Sequence, residues 1–361
     1  MRAAVFHDRG DVRVEHVPDA EVGPGDLLLR VSVVGICGTD AHEFDSGPHM
    51  FPIRSAHPVS GHVGPMIPGH ELTGTIEAMG TDVEGFELGT LVVSGAGISC
   101  GHCFWCTRAM TNLCQHYSTL GLHQNGALAE YVAVPASTCM DASSYGISAD
   151  TAALAQPMSI AVHAMRRGRL AQDESAVILG AGGIGAFLTY AVADRCGSVV
   201  VSDLGTERLD IATALGATHT VQVGSDRSVQ DVLDANEIIP SVVYEVSGSA
   251  AGFQQALTIA SRGARLVMVG LQHGPLEIDV RGVSLREVEL VGTNAHVCAS
   301  DLPEALRLLA ARKGGWTDVA PVALSLDELV EEGLKPLAER RSARIKTLID
   351  PWASATRKTV A

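Results

Sequence analysis

The sequence has few aromatic residues, few basic residues and no long apolar run. Aromatic side chains make up only 4% of the chain, so platforms for stacking single-stranded nucleic acid are scarce. Lys and Arg total 26 against 41 Asp and Glu, and the net charge of −15 argues against binding to a phosphate backbone. No apolar stretch has the ~20 residues that a transmembrane helix needs. We therefore expect chemistry on a small molecule, with neither nucleic acid nor membrane as a partner.

The start of the chain shows no secretory leader, since the strand-like segment RAAVFH follows Met1 directly. We therefore expect a cytoplasmic protein, in which cysteines stay reduced. Four of the eight cysteines share one short segment with the spacing C-x2-C-x2-C-x7-C: Cys100, Cys103, Cys106 and Cys114. Four thiolates in one loop can hold Zn²⁺ tetrahedrally and leave no open position for a substrate. The spacing predicts a structural zinc lobe, and a disulfide framework is the alternative.

The domain organisation follows from a change in the pattern of predicted strands and helices near residue 150. The 361 residues are enough for two domains. Residues 1–150 contain short β-type segments separated by Gly and Pro, which predicts a β-rich domain. Residues 151–295 alternate apolar strands with helical segments, which predicts a doubly wound parallel sheet with helices on both faces. In residues 296–361 we expect a helix capped by Asp301 and a final strand that rejoins the first domain, which would make that domain discontinuous.

A glycine motif indicates a dinucleotide site in the second domain. It follows the strand-like segment SAVIL and opens a helix, and it contains Gly180, Gly182, Gly183, Ile184 and Gly185. Asp203 ends the next strand and can accept hydrogen bonds from both ribose hydroxyls. Its charge would repel a 2′-phosphate, so the sequence predicts NAD rather than NADP. Arg208 nearby could stack on the adenine or pair with an Asp on the helix surface.

Further metal-ligand side chains are split between two motifs. Cys37 begins the segment CGTDAH after a predicted strand, and His70 and Glu71 belong to the segment GHE. Thiolate, imidazole and carboxylate are all good zinc ligands. The spacing alone does not bring Cys37 to His70.

Taken together, these motifs resemble the zinc-dependent medium-chain alcohol dehydrogenases over almost the whole chain. The resemblance is carried by the two split motifs, the four-cysteine loop, the segment GLHQNGALAEY and the glycine turn with Asp203. It is greatest toward sorbitol and (R,R)-butanediol dehydrogenases, on the extended segment that leads from Cys37 to GHEL and on SLDELVEEGLKPLAE near the end. The resemblance implies a GroES-like catalytic domain, a Rossmann domain and a C-terminal return to the catalytic domain.

The resemblance also implies a second, catalytic zinc. Cys37 and His70 match its ligands, and Asp40 matches the partner of the zinc-bound histidine. Glu71 matches a position that binds the zinc in the polyol enzymes and lies behind the ligands in some alcohol dehydrogenases, and we expect it to be the third ligand here. Gln156 stands where the polyol enzymes have Glu and other alcohol dehydrogenases have Cys. We expect Gln156 to lie outside the ligand set and to form a hydrogen bond with the zinc-bound water or with the substrate.

Roles in proton and hydride transfer follow from the same resemblance. Thr39 matches the hydroxyl that takes the substrate's proton, and His42 matches the far end of the proton relay. The expected contacts to the nicotinamide half of the cofactor are Val269, Gly270, Leu271, Thr293 and Asn294. The implied protein is a homo-oligomer, either dimer or tetramer, with two zinc ions and NAD per chain.

The implied reaction is hydride transfer between NAD and a secondary alcohol. Vicinal diols, hydroxyketones such as acetoin, and polyols are the expected substrates. Two alternatives stay open on sequence alone. One is another dehydrogenase of the family, of the threonine or formaldehyde type. The other is a non-catalytic NAD-binding regulator that kept the fold, an alternative that Gln156 keeps alive because fold does not establish function.

Overall fold

This computed structural model describes residues 1–272 and 274–361. The chain divides into two units. The first unit contains residues 1–159 and 296–361, and the second contains residues 160–295. Each unit has its own apolar core, built on its own sheet. In the described part of the chain, no helix combines the length and apolarity needed to cross a bilayer.

Short strands dominate the N-terminal part of the first unit because apolar side chains alternate along them. In β3, for example, Leu27, Leu29, Val31 and Val33 are all buried. The elements in chain order are β1 (Arg2–Asp8), β2 (Asp11–His16), β3 (Asp26–Gly35), α1 (Gly38–Ser46), β4 (Glu71–Met79), β5 (Leu91–Ser94), β6 (Gly97–Ile98), β7 (Ser118–Thr119), β8 (Tyr131–Pro135), β9 (Cys139–Asp141) and α2 (Ala149–Ala152). Single 3-10 turns occur at Cys106–Arg108, Thr111–Leu113, Ala136–Thr138 and Ser143–Tyr145.

The second unit is a six-stranded parallel sheet with strand order β12-β11-β10-β13-β14-β15. This order reverses direction between β10 and β13, and such a reversal creates a crevice at the carboxyl ends of the strands. The preceding helix, α3 (Ala155–Gly168), contains the division between the units. The elements that follow are β10 (Ser175–Leu179), α4 (Gly183–Ala193), β11 (Ser198–Asp203), α5 (Thr206–Ala214), β12 (His219–Gln222), α6 (Val229–Ala235), β13 (Pro240–Glu245), α7 (Ala250–Ile259), β14 (Arg265–Met268), α8 (Val280–Arg286) and β15 (Glu289–Gly292).

The C-terminal segment returns to the sheet of the first unit. Its elements are α9 (Cys298–Ala311), β16 (Val322–Leu324), the 3-10 turn Leu326–Glu328, the π-helical turn Leu329–Leu334, α10 (Lys335–Ala338), β17 (Leu348–Ile349) and β18 (Arg357–Lys358). The eight-stranded sheet has the order β18-β16-β17-β3-β4-β5-β9, and β8 also pairs with β3. The predicted fold class is therefore confirmed: a doubly wound parallel sheet, and a β-rich domain completed by the chain's last segment.

The expected helix cap at Asp301 is wrong. Helix α9 begins at Cys298, and Val297 is its N-cap residue. Asp301 lies inside the first turn, where its carboxylate accepts the backbone N–H of Val297 at 2.7 Å. The carboxylate thus satisfies an N–H group at the helix start from within the helix, as acidic residues of the first turn commonly do.

Candidate active site and metal centres

The four-cysteine loop brings its sulfur atoms to the separations of a tetrahedral metal site. The Sγ atom of Cys103 lies 3.5 Å from that of Cys106 and 3.9 Å from that of Cys114, and the Cys100 and Cys106 sulfurs are 4.0 Å apart. Zn–S bonds of ~2.3 Å in a tetrahedron place sulfurs ~3.8 Å apart. A disulfide needs a separation of ~2.0 Å, and all eight cysteines are free thiols. The donor set fits structural zinc.

The surroundings of these thiols favour a bound cation. Backbone N–H groups, with that of Cys106 foremost, lower the pKa of Cys103 to about 6. Burial raises the pKa of Cys114 to about 11, although the N–H groups of Cys100 and His116 each donate to its sulfur at 3.3 Å. A buried thiolate of this kind needs a positive charge beside it, and a metal ion supplies one.

The second cluster forms where β3 ends and β4 begins. Gly35 at the end of β3 pairs with Glu71 at the start of β4, so the residues that flank this pair are neighbours in space. Cys37 follows β3 by two residues, and His70 precedes β4 directly. One ligand atom from each of Cys37, His70 and Glu71 lies within 4.8 Å of the others. Strand pairing therefore supplies the proximity that the spacing in the sequence could not.

Asp40 orders the start of α1 and faces the histidine of the cluster. Its Oδ2 atom accepts the backbone N–H of Cys37 at 2.8 Å, which caps the helix. Its Oδ1 atom lies 3.8 Å from His70 Nδ1, and neither atom has a hydrogen-bond partner in the described chain. Burial alone would lower the pKa of His70, but the negative groups around it, Asp40 foremost, raise it to about 9. The pocket thus favours a cation on the imidazole, and the donor set of thiol, imidazole and carboxylate fits zinc.

A buried lysine that contacts this cluster was not identified from the sequence. Lys346 Nζ donates to both carboxylate oxygens of Glu71, at 2.6 Å for Oε2. Burial alone would lower the pKa of Lys346, but the Glu71 carboxylate and the Cys37 thiol raise it, so the ammonium stays charged. The available signal was a single Lys in a mostly apolar terminal segment, Ile345 to Ile349, that was expected to form a strand.

The expected relay residues lie on one face of α1. Thr39 Oγ1 is 3.9 Å from the sulfur of Cys37, and His42 follows Thr39 by three residues, which places the two side chains on the same side of the helix. The exposed His42 ring stacks on His49 with centroids 4.6 Å apart, and its Nδ1 lies 3.2 Å from Ser46 Oγ. Gln156 is the second residue of α3 and is buried within the first unit.

The glycine turn of the second unit has the geometry that a dinucleotide requires. Gly180 adopts a φ of +107°, which favours glycine. Gly182 caps α4, and a Cβ atom there would meet open space, which leaves room for a pyrophosphate against the helix start. A Cβ atom at Gly185 would collide with the carbonyl oxygen of Gly180, so strand and helix approach each other closely here. Gly183 and Ile184 form the first residues of α4.

Asp203 ends β11 beside this turn. Its Oδ2 atom accepts the backbone N–H of Ala181 at 2.7 Å, and its Oδ1 atom accepts that of Gly205 at 3.0 Å. Arg208, in the first turn of α5, approaches Oδ1 only to 3.9 Å. The carboxylate is therefore held against the glycine turn by backbone groups, in the position of a ribose-binding acid.

The remaining expected cofactor residues follow β14 and β15 at the same edge of the sheet. The backbone N–H groups of Val269 and Gly270 donate to the carbonyl oxygen of Glu245, and Leu271 is exposed. Thr293 and Asn294 come directly after β15. Within the described residues, the buried Oγ1 atom of Thr293 has no hydrogen-bond partner. An unsatisfied hydroxyl at the ligand-binding edge fits a bound cofactor.

Comparisons with known proteins agree with this geometry. Residues 23–144 match the family model described as the alcohol dehydrogenase GroES-like domain, and residues 183–311 match that of the zinc-binding dehydrogenases. The chain belongs to the zinc-dependent medium-chain alcohol dehydrogenase family. Its members among the relatives include sorbitol dehydrogenase of Bacillus subtilis, 30% identical over 86% of each chain.

Other members of the family are similar to the chain to a comparable degree. The chain is 30% identical to L-threonine 3-dehydrogenase of Alteromonas mediterranea, over 92% of this chain and 94% of the relative. Among solved structures, 2R,3R-butanediol dehydrogenase from Bacillus subtilis has 27% identity and a TM-score of 0.88, over 97% of this chain and 99% of the other. The family resemblance predicted from the motifs is confirmed, and these relatives carry different substrate names.

The four-cysteine lobe generates the first prediction. Replacing Cys103 with Ser removes one of four thiolates, so the purified protein should lose about one zinc per chain and unfold at a lower temperature, because metal binding and folding are coupled. Zinc analysis and a thermal melt measure both effects. Cys196→Ser, which alters a cysteine of the second unit outside the cluster, is the control and should keep its zinc. A Cys103→Ser protein with full zinc content and an unchanged melt would contradict the assignment.

Proposed function

We propose that this member of the family is an NAD-dependent dehydrogenase of secondary alcohols, with one structural and one catalytic zinc per chain. The observation that carries the proposal is the convergence of Cys37, His70 and Glu71 at the junction of β3 and β4. Three protein ligands leave one position for a substrate oxygen, as a catalytic zinc site requires. The four-cysteine lobe offers no such position, so the two sites divide structure and chemistry between them.

The chain's own residues supply the proton path in this proposal. Zinc at Cys37, His70 and Glu71 would polarise the substrate oxygen, and NAD would exchange hydride with the carbon that bears it. Thr39 takes the hydroxyl proton. His42 lies on the same face of α1 and is exposed, so it releases the proton to solvent. Asp40 fixes the orientation of His70. Gln156 serves as a hydrogen-bonding group for the substrate.

Vicinal diols, their hydroxyketones and polyols are the proposed substrates. The names of two relatives, a sorbitol dehydrogenase and a butanediol dehydrogenase, support this class. The threonine dehydrogenase relative supports the competing substrate, an amino acid with a secondary hydroxyl. The cluster of Cys37, His70 and Glu71 and the Thr39–His42 face favour an enzyme over a silent NAD-binding regulator, since a regulator needs neither.

A substrate panel tests this function. We expect NAD reduction with enantiomers of 2,3-butanediol or with sorbitol, at rates above those with L-threonine or formaldehyde, and loss of the activity after treatment with a strong chelator. Absorbance of NADH at fixed enzyme concentration measures the rates. NAD binding without turnover on any substrate would identify a regulator, and threonine as the fastest substrate would move the protein to the competing class.

The preference for NAD over NADP is assigned to Asp203. Its carboxylate is fixed at the end of β11 by two backbone N–H groups and would repel a 2′-phosphate. We expect Asp203→Ala to narrow the ratio of kcat/KM for NAD over NADP, mainly by improving the use of NADP. Asp210→Ala is the control for general charge, because Asp210 is an exposed acidic residue about one turn along α5. This variant should keep the wild-type ratio. A wild-type enzyme that prefers NADP would contradict the assignment.

Thr39 is the proposed first proton acceptor. Thr39→Ala should lower kcat by ~10²–10⁴-fold, the usual worth of general acid–base assistance, while zinc content stays at the wild-type value. Thr39→Ser keeps the hydroxyl and should retain most of the activity. His42→Ala should cost less, because water can replace a group at the exposed end of the path. Unchanged kcat in Thr39→Ala would remove the residue from the reaction.

A homo-oligomer in the cytoplasm completes the proposal. Strand β15 lies at the edge of the sheet in the second unit, and Val280 and Leu285 of the preceding helix α8 are 67% and 63% exposed. A sheet edge and exposed apolar side chains support pairing with a second copy, in a dimer or in a tetramer built from dimers. The eight free thiols support a reducing compartment.

A further inference from the structure

The ion pair between Lys346 and Glu71 lies inside the proposed metal centre. The two side chains have exposed fractions of 5% and 1%, and Lys346 Nζ also lies 3.4 Å from the carbonyl oxygen of Ile36. The carboxylate that Lys346 contacts is the one grouped with Cys37 and His70. One carboxylate thus faces an ammonium and a metal position at the same time.

Three neighbouring strands fix this arrangement. Gly35 on β3 pairs with Glu71 of β4 on one side and with Leu348 of β17 on the other. Lys346 precedes β17 by two residues, and its backbone N–H donates to the carbonyl oxygen of Val319. A Cβ atom on Gly35 would collide with Oε2 of Glu71, so the carboxylate lies directly against the β3 backbone. The sheet of the first unit therefore builds the contact.

The charges around the pair explain why it is needed. Cys37, Asp40 and Glu71 can each carry a negative charge here, and Lys346 forms a buried ion pair with Glu71. A buried carboxylate without a cation beside it strongly destabilises a folded protein. Without a metal, Lys346 is thus the group that makes burial of Glu71 tolerable.

We propose that Lys346 is the internal counter-ion of the metal centre: it holds Glu71 in place while no metal is bound, and it competes with the metal for that carboxylate. The inference rests on the proposed function in one respect, that a cation binds at Cys37 and His70. Lys346 is a positioning residue, since it acts through Glu71. Its ammonium keeps the site formed without metal and weakens the hold of Glu71 on the ion.

Lys346→Met removes the charge and keeps an unbranched side chain that is one atom shorter. The dissociation constant for zinc at this centre should fall by about tenfold or more, equivalent to about 1.4 kcal/mol, because the ammonium no longer competes. The metal-depleted protein should unfold at a lower temperature, because Glu71 is left unpaired. Zinc retention against a graded series of chelator concentrations and thermal melts with and without zinc measure both. Lys346→Arg keeps the charge and should stay near wild type. Lys335→Met, which breaks the exposed pair with Glu331, is the control and should change neither quantity.

A double variant separates charge from packing. Glu71→Gln combined with Lys346→Met has no unpaired buried charge, so its metal-depleted form should recover most of the thermal stability lost in Lys346→Met. If Lys346→Met cannot be purified folded, this recovery alone decides the question. A double variant no more stable than the single variant, or a Lys346→Met protein with unchanged or weaker zinc binding, would overturn the proposal. Failure of the proposed function gives a different result: wild type would hold zinc only in the four-cysteine lobe, and Cys37→Ser would not alter its zinc content.

Discussion

Negative charge converges at the buried end of β3, and balancing it is the constraint on which the active site depends. A thiol, two carboxylates and an imidazole meet there because β3 and β4 pair in register and α1 starts just beyond β3. Such a group is stable in a low-dielectric interior only with a cation among its members. Lys346 provides one positive charge, and the geometry of Cys37 and His70 fits a metal that provides more.

This constraint explains why the chain's last segment belongs to its first domain. The segment that carries Lys346 arrives next to β3 through β17, and its ammonium reaches Glu71 across 275 positions of sequence. The four-cysteine lobe also concentrates negative charge, but its four thiols come from one loop, and a single metal ion can neutralise them. In the second unit, the backbone N–H groups of Ala181 and Gly205 hold Asp203 beside the glycine turn, and the start of α4 leaves room for phosphates.

What the sequence predicts well is local. The four-cysteine spacing and the strand–glycine–helix–strand–acid pattern each lie within a few dozen residues, and their physical requirements can be read from spacing alone. The meeting of Cys37 with His70 depends on strand register, and only the family resemblance pointed to it before the structure did. The Lys346 contact was missed because a single lysine near the end of a chain carries no local pattern. The N-cap was wrongly placed at Asp301 for two reasons. In sequence, an acidic residue in the first turn of a helix looks the same as an acidic N-cap residue. The segment before it, Cys298 to Ser300, also showed no helical pattern.

In the proposed metal centre, a metal ion and Lys346 share the carboxylate of Glu71, and this centre is distinct from the four-cysteine lobe. Anomalous diffraction from crystals of the zinc-loaded protein, collected at the zinc absorption edge, tests it most directly. We expect two peaks per chain. One is enclosed by the four sulfurs of the lobe, and the other lies within ~2.3 Å of Cys37 Sγ, ~2.1 Å of a His70 nitrogen and ~2.2 Å of one Glu71 oxygen, with Lys346 bonded to the other oxygen. A single peak in the lobe, or a second peak away from Cys37 and His70, would contradict it.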